Sequence, residues 1–142
     1  MRTRPPFTEI LPGLLYIGYA RKAKRLRAAG IKAIVNVAIR SYDGRRRHLP
    51  LGDGFNSARR LLAVLACLER RIQRKQVPIY LHCSAARNRS PVVAALFLVK
   101  RRRFRSFRRA LRFVKLVNPQ TRPTKGMLLS ARAAVRLLGG KA

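Results

Sequence analysis

The segment Ile79-Tyr80-Leu81-His82-Cys83-Ser84-Ala85-Ala86-Arg87-Asn88-Arg89-Ser90-Pro91 constrains the fold more than any other part of the chain. A short β-prone apolar run stops at His82-Cys83, and a small polar loop leads into the apolar run Pro91–Val99. A strand and a helix that are apolar on every side must each be covered by other elements, which points to the middle of an α/β sheet. Loops leaving the carboxyl ends of such strands are where ligands bind in open α/β folds.

The same segment carries a chemistry. Backbone N–H groups of a tight strand-to-helix loop can converge on an anion, and the helix N-terminus adds positive potential. Arg89, six residues after Cys83, can fork two oxygens of a phosphate, and the surrounding positive field suits a nucleophilic sulfur. Arginine alone is weak support, because 26 of the 142 residues are Arg. Cysteine is scarce, with Cys67 and Cys83 only, so its placement weighs more. Ser90 is expected to cap the helix with Pro91 at its first position. Cys67, inside a helical pattern with no basic loop around it, reads as core or inert surface.

Elsewhere the pattern alternates between strands and helices. Residues 9–18 read as a short strand and turn, 20–29 as a basic helix stopped by Gly30, and 31–38 as a buried strand. A basic loop follows over 39–48, then a short strand at 49–51 and a flexible Gly52-Asp53-Gly54 loop. Leu61, Leu65, Leu68 and Ile72 share one face of a helix over 56–74. A strand over 78–82 and a helix over 91–101 flank the loop. Another helix starts at Ser106, with Leu111, Val114 and Lys115 near its inner face, and is broken by Asn118-Pro119; a last helix covers 124–138. The expected fold is a single α/β domain over residues 1–142, with a central, mostly parallel sheet and helices on both faces.

His82-Cys83-x5-Arg89-Ser90 resembles the phosphate-binding loop of the cysteine-based protein tyrosine phosphatase superfamily, and the short chain resembles its small, atypical dual-specificity branch. Phe7-Thr8-Glu9-Ile10-Leu11-Pro12-Gly13-Leu14-Leu15-Tyr16-Ile17-Gly18 is similar to the opening segment of that branch. Gly30-Ile31-Lys32-Ala33-Ile34-Val35-Asn36-Val37-Ala38 is similar to its first buried strand, and Leu49-Pro50-Leu51-Gly52-Asp53 to the segment that carries the general acid. The resemblance implies Cys83 as nucleophile, Arg89 as the group that holds the equatorial oxygens, and Ser90 as a hydroxyl donor to the sulfur. His82, Ser84, Ala85, Ala86, Arg87 and Asn88 then complete the phosphate-binding loop with Arg89, His82 orienting it. Asn36 matches a strand residue that supports this loop, although a strand-end Asn also caps its own turn. Ala86 departs from the pattern, which has Gly there. If the position needs φ > 0, Ala carries a backbone cost and the N–H cradle suffers.

Only Glu9, Asp43, Asp53 and Glu69 can supply a carboxylate. Asp53 fits the acid-loop pattern with a Gly on either side, whereas Asp43 sits in an Asp-Gly turn. The implied reaction is hydrolysis of phosphate monoesters through a phosphocysteine, without metal or other cofactor. Phosphotyrosine in a protein is the expected substrate, with phosphoserine and phosphothreonine if the pocket is shallow. Two alternatives stay open: phosphate release from RNA 5′ ends, phosphoinositides or another polyanion, and a catalytically weak module that binds phosphorylated ligands or nucleic acid.

The charge speaks to partners. Thirty-four basic against 4 acidic residues give a formal net charge of +30. Such a surface attracts RNA, phosphoinositides or an anionic membrane surface with little discrimination. Two cysteines without repeat spacing suit neither a disulfide framework nor a zinc site. No apolar stretch follows Met1-Arg2-Thr3-Arg4-Pro5-Pro6 as a secretory signal requires. A monomer in the reducing cytoplasm is the expectation.

Overall fold

The computed structural model describes residues 7–142. Met1 to Pro6, read above for a secretory signal, lie outside the described residues. Strand β1 (Thr8–Leu11) turns back antiparallel onto β2 (Leu15–Gly18). Helix α1 (Ala23–Ala28) is shorter than its sequence pattern, and Gly30 at φ +96° turns the chain into β3 (Ala33–Asn36). Next come the two-residue β4 (Arg47–His48), α2 (Ala58–Gln73) and β5 (Ile79–His82). Helices α3 (Arg89–Lys100), α4 (Phe107–Val117) and α5 (Lys125–Leu137) complete the chain. Ser57, Ser106 and Thr124 cap α2, α4 and α5 by accepting backbone N–H bonds, satisfying donors that a helix start leaves open.

The five strands run in the order β1-β2-β5-β3-β4, and every pair except β1–β2 is parallel. Alternation along the strands divides the core into two layers. Tyr80 and Ile34 point to one face and pack with Ala23, Leu26 and Ile31 around α1. Ile79, Leu81, Ala33 and Val35 point to the other, where α2 to α5 cover them. Helix α3 is buried from Arg89 to Val99, as its unbroken apolar run requires. Each large aliphatic side chain there contributes about 1.5–3 kcal/mol by leaving water.

Three local expectations change. The strand expected at 49–51 is not regular: β4 is Arg47–His48, and Leu49 and Leu51 only hang from the end of β3 through N–H bonds to Asn36 O (2.9 Å) and Val37 O (3.0 Å). Lys115 is exposed, because Phe107, Ala110, Leu111 and Val114 form the buried stripe of α4. Helix α3 begins at Arg89, with Asn88 at its cap position, so Ser90 is inside the first turn and does not cap it. Among the described residues no helix is long and apolar enough to cross a membrane.

Candidate active site

The 83–89 loop joins β5, the central strand, to the buried helix α3. Cys83 is buried, keeping 2% of its surface. Because α3 starts early, the Ser90 hydroxyl turns toward that sulfur, with Oγ 3.3 Å from Sγ. Ser84 and Arg87 are exposed on the loop, Ala85 is half-buried, and Ala86 and Asn88 are buried.

Ala86 adopts φ +55°, the left-handed region that Gly takes freely. Its carbonyl accepts from Asn118 Nδ2 (2.9 Å), and the next carbonyl, of Arg87, accepts from Arg122 N (2.7 Å). The segment between α4 and α5 therefore braces the loop in a shape that Ala disfavours. Thr121 completes the brace: its hydroxyl accepts from Asn118 Nδ2 at 2.8 Å and donates to Asn118 O at 2.7 Å. In the sequence Asn118-Pro119 is legible only as a helix breaker, and nothing local reveals its partner thirty-two residues away.

His82 is fully buried and neutral. Burial pushes its pKa down to about 4, against the bond it donates to the Cys83 carbonyl, and the neighbouring Arg46 charge adds to the effect. Its Nδ1 lies 2.9 Å from Cys83 O and its Nε2 lies 2.8 Å from Arg46 Nη1. Nδ1 carries the proton, Nε2 accepts, and the ring orients the loop without bringing a charge to it. Tyr42 closes this side, edge-on to His82 at 5.4 Å with its hydroxyl 3.3 Å from Ser84 Oγ. Arg46 and Tyr42 are contributors that the sequence hid inside a basic loop.

The carboxylates sort themselves by partner. Glu9 accepts from the Tyr16 hydroxyl at 2.7 Å, and Glu69 pairs with Arg101 at 3.1 Å. Asp43 pairs with Arg46 at 2.9 Å. Desolvation opposes ionisation of Asp43, but the Arg46 hydrogen bond and charge hold its carboxyl below the usual range. Only Asp53 stands at the 83–89 loop, with Oδ1 3.1 Å from Arg89 Nε and 73% of its side chain exposed. That contact is one of charge alone, because the carboxylate is out of line for a hydrogen bond and Nε has no hydrogen-bond partner among the described residues. The expected mobility of Gly52-Asp53-Gly54 is not what the contacts describe. Asn56 spans the loop, accepting from Gly52 N (2.8 Å) and donating to Gly52 O (2.9 Å). Asn88 Nδ2 (2.7 Å) and Thr124 Oγ1 (2.6 Å) both donate to the Asp53 carbonyl. Gly126 completes the fit, since a Cβ there would come within 2.6 Å of the Gly54 and Phe55 backbone.

Two residues fall on the plainer side of their alternatives. Asn36 holds its own turn, accepting from Ala38 N (2.8 Å) and donating to Arg40 O (2.9 Å). Cys67 is buried in the core.

No protein-family model matches the sequence, and no curated protein matches it either. Solved structures do. A mouse protein described as a dual specificity phosphatase, solved with zinc tungstate, shares 27% identity at a TM-score of 0.81, covering 97% of this chain and 91% of its own. A variant of human DUSP28 shares 24% identity at a TM-score of 0.80, over 96% and 98% of the two chains. Tk-PTP in its active form shares 22% at a TM-score of 0.78, over 94% and 99%. The fold is that of the protein tyrosine and dual-specificity phosphatases. Within that class the human DUSP28 variant and the mouse dual specificity phosphatase match this chain over 96% and 97% of its length.

Proposed function

We propose that this protein hydrolyses phosphate monoesters, phosphotyrosine in proteins first among them, through a phosphocysteine intermediate. The observation that carries the reading is a buried guanidinium, Arg89, whose Nε has no hydrogen-bond partner among the described residues, at the end of the loop that begins with Cys83 and next to the Ser90 hydroxyl. Its one hydrogen bond among the described residues goes from Nη1 to Leu51 O, at 3.2 Å. A buried donor without a partner is costly, and a phosphate supplies acceptors in the planar arrangement that a guanidinium matches.

In the first step the Cys83 sulfur attacks phosphorus and the bond from phosphorus to the ester oxygen breaks. Asp53, protonated, gives its proton to that oxygen, and the alcohol or phenol leaves. Asp53, now a carboxylate, then takes a proton from water as its oxygen attacks phosphorus. The sulfur–phosphorus bond breaks, and the Ser90 hydroxyl donates to the departing thiolate. Arg89 and the amides of residues 84–88 hold the equatorial oxygens throughout, a stabilisation that acts on developing charge. The mouse neighbour is solved with tungstate, a tetrahedral oxyanion with the shape of phosphate.

The test is hydrolysis of a small aryl phosphate in the presence of a chelator. Turnover by the wild type and none by Cys83→Ser supports the reading. Unchanged turnover in Cys83→Ser overturns it.

A further inference from the structure

We propose a second anion site, outside the 83–89 loop, that takes a compact ligand bearing several phosphates and no aromatic base. It is a cleft of about 620 Å³ at the open edge of the sheet, lined by Arg27, Lys32, Arg45, Arg47 and Arg71 over a floor of Ala33 and Ile34. A smaller hollow of about 160 Å³ continues from it, shares Arg47 and Arg71, and adds Arg70 and Arg74.

Three observations separate this cleft from the general excess of arginine. First, two of its guanidiniums are already positioned: Arg27 Nη2 donates to Arg45 O at 3.1 Å, and Arg71 Nη1 donates to Gln76 Oε1 at 2.7 Å. Cations held in place lose less freedom on binding than swinging ones. Second, no carboxylate lines either hollow; Asp43, in the adjoining turn, is engaged by Arg46. Third, the other wide depressions each carry an aromatic ring, Phe107 beside Leu111 and Leu128 between α4 and α5, or Phe104 beside Val99 and Leu138 beyond α3. The edge cleft has no aromatic lining residue. Single-stranded nucleic acid binds through stacked bases as well as charge, so this lining favours a ligand whose recognition rests on phosphates alone. Arg46 also borders the cleft while holding His82, so a bound anion would sit one side chain away from the support of the 83–89 loop.

The test uses Cys83→Ser full-length protein with the 83–89 loop saturated by orthovanadate, and titrates inorganic tripolyphosphate by calorimetry. Expected is one site per chain that Lys32→Gln/Arg47→Gln weakens at least tenfold and Arg71→Gln weakens severalfold. The control Arg108→Gln/Arg112→Gln, which removes equal charge from α4, weakens it less than twofold. Inositol hexakisphosphate and a short RNA in place of tripolyphosphate distinguish the sources: the first competes for the site, the second does not. Equal weakening by both double variants, or no binding once the loop is saturated, overturns the proposal. Turnover of a small aryl phosphate by Lys32→Gln/Arg47→Gln in the Cys83 background stays at wild-type level, so failure of this site and failure of the phosphatase reading give different results.

Discussion

Arg46 and Arg89 are both buried guanidiniums facing an exposed aspartate, and they differ in how much of their hydrogen-bonding capacity is spent. Arg46 gives Nε to Asp43 O at 2.6 Å, Nη1 to His82 Nε2, and Nη2 to both Asp43 Oδ1 and Arg21 O. With five N–H donors in all, it is close to saturated. Arg89 has its single bond to Leu51 O and an off-line carboxylate, among the described residues. Burial and charge are alike at the two places. On the function proposed above, the unspent donors mark Arg89 as the arginine left for a phosphate.

The sharpest way to break this comparison is to damage each arginine and read both turnover and stability. Arg89→Lys replaces the planar fork by a point charge, and kcat on an aryl phosphate falls about 10³-fold while the thermal midpoint stays near wild type. Arg46→Met strands the acceptors it serves and lowers the unfolding free energy by about 3 kcal/mol in urea, with kcat of the folded fraction within about tenfold. The reverse pattern would mean that Arg46 belongs to the chemistry and Arg89 to the scaffold.

The paired aspartates follow. Asp53→Asn lowers kcat on an alkyl phosphate by about 10²-fold, and much less on an ester whose leaving group needs no proton. Asp43→Asn leaves both substrates nearly unchanged. Measuring kcat on the two ester classes checks this.

His82 links Arg46 to the loop and supplies a pH signature. Its folded pKa of about 4 lies below the ordinary value of 6.5, so the unfolded chain binds the proton more readily. The stability it provides is complete above pH 6.5 and is lost as pH falls toward 4. Urea melts of wild type and His82→Asn should converge by about 2 kcal/mol between pH 6.5 and 4.5. A constant gap would mean that the ring is not held neutral.

The architecture was legible from the sequence because periodicity and burial agree over long stretches. The apolar run of α3 and the Leu61, Leu65 and Leu68 stripe of α2 lie where their patterns place them. The short edge strand was misplaced because two residues carry no period, and hydrogen bonds to β3 alone define it. Cys83 and Asp53 are legible because cysteines and carboxylates are scarce, and Arg89 through its spacing from Cys83 and the resemblance of the loop; the structure brings all three to one loop region. The supporting roles of Asn118, Thr124, Gly126 and Arg46 are not legible in the sequence because each acts through a contact distant along the chain. Ser90 was legible as a polar residue at a helix start, but which way its hydroxyl turns depends on a helix that begins at Arg89.

The smallest effect concerns the loop itself. Ala86→Gly removes the cost of holding an L-residue at φ +55° and raises the unfolding free energy by about 1 kcal/mol, measured by urea titration. Unchanged stability would show that the brace from Asn118 is not working against strain.

The covalent step is the centre of the account, and acid-quenched mass spectrometry during turnover of an aryl phosphate tests it most directly. The account predicts one phosphoryl group on the peptide that contains Cys83, absent from Cys83→Ser. Steady turnover with no phosphorylated Cys83 peptide, or with the phosphoryl group on another residue, would contradict it.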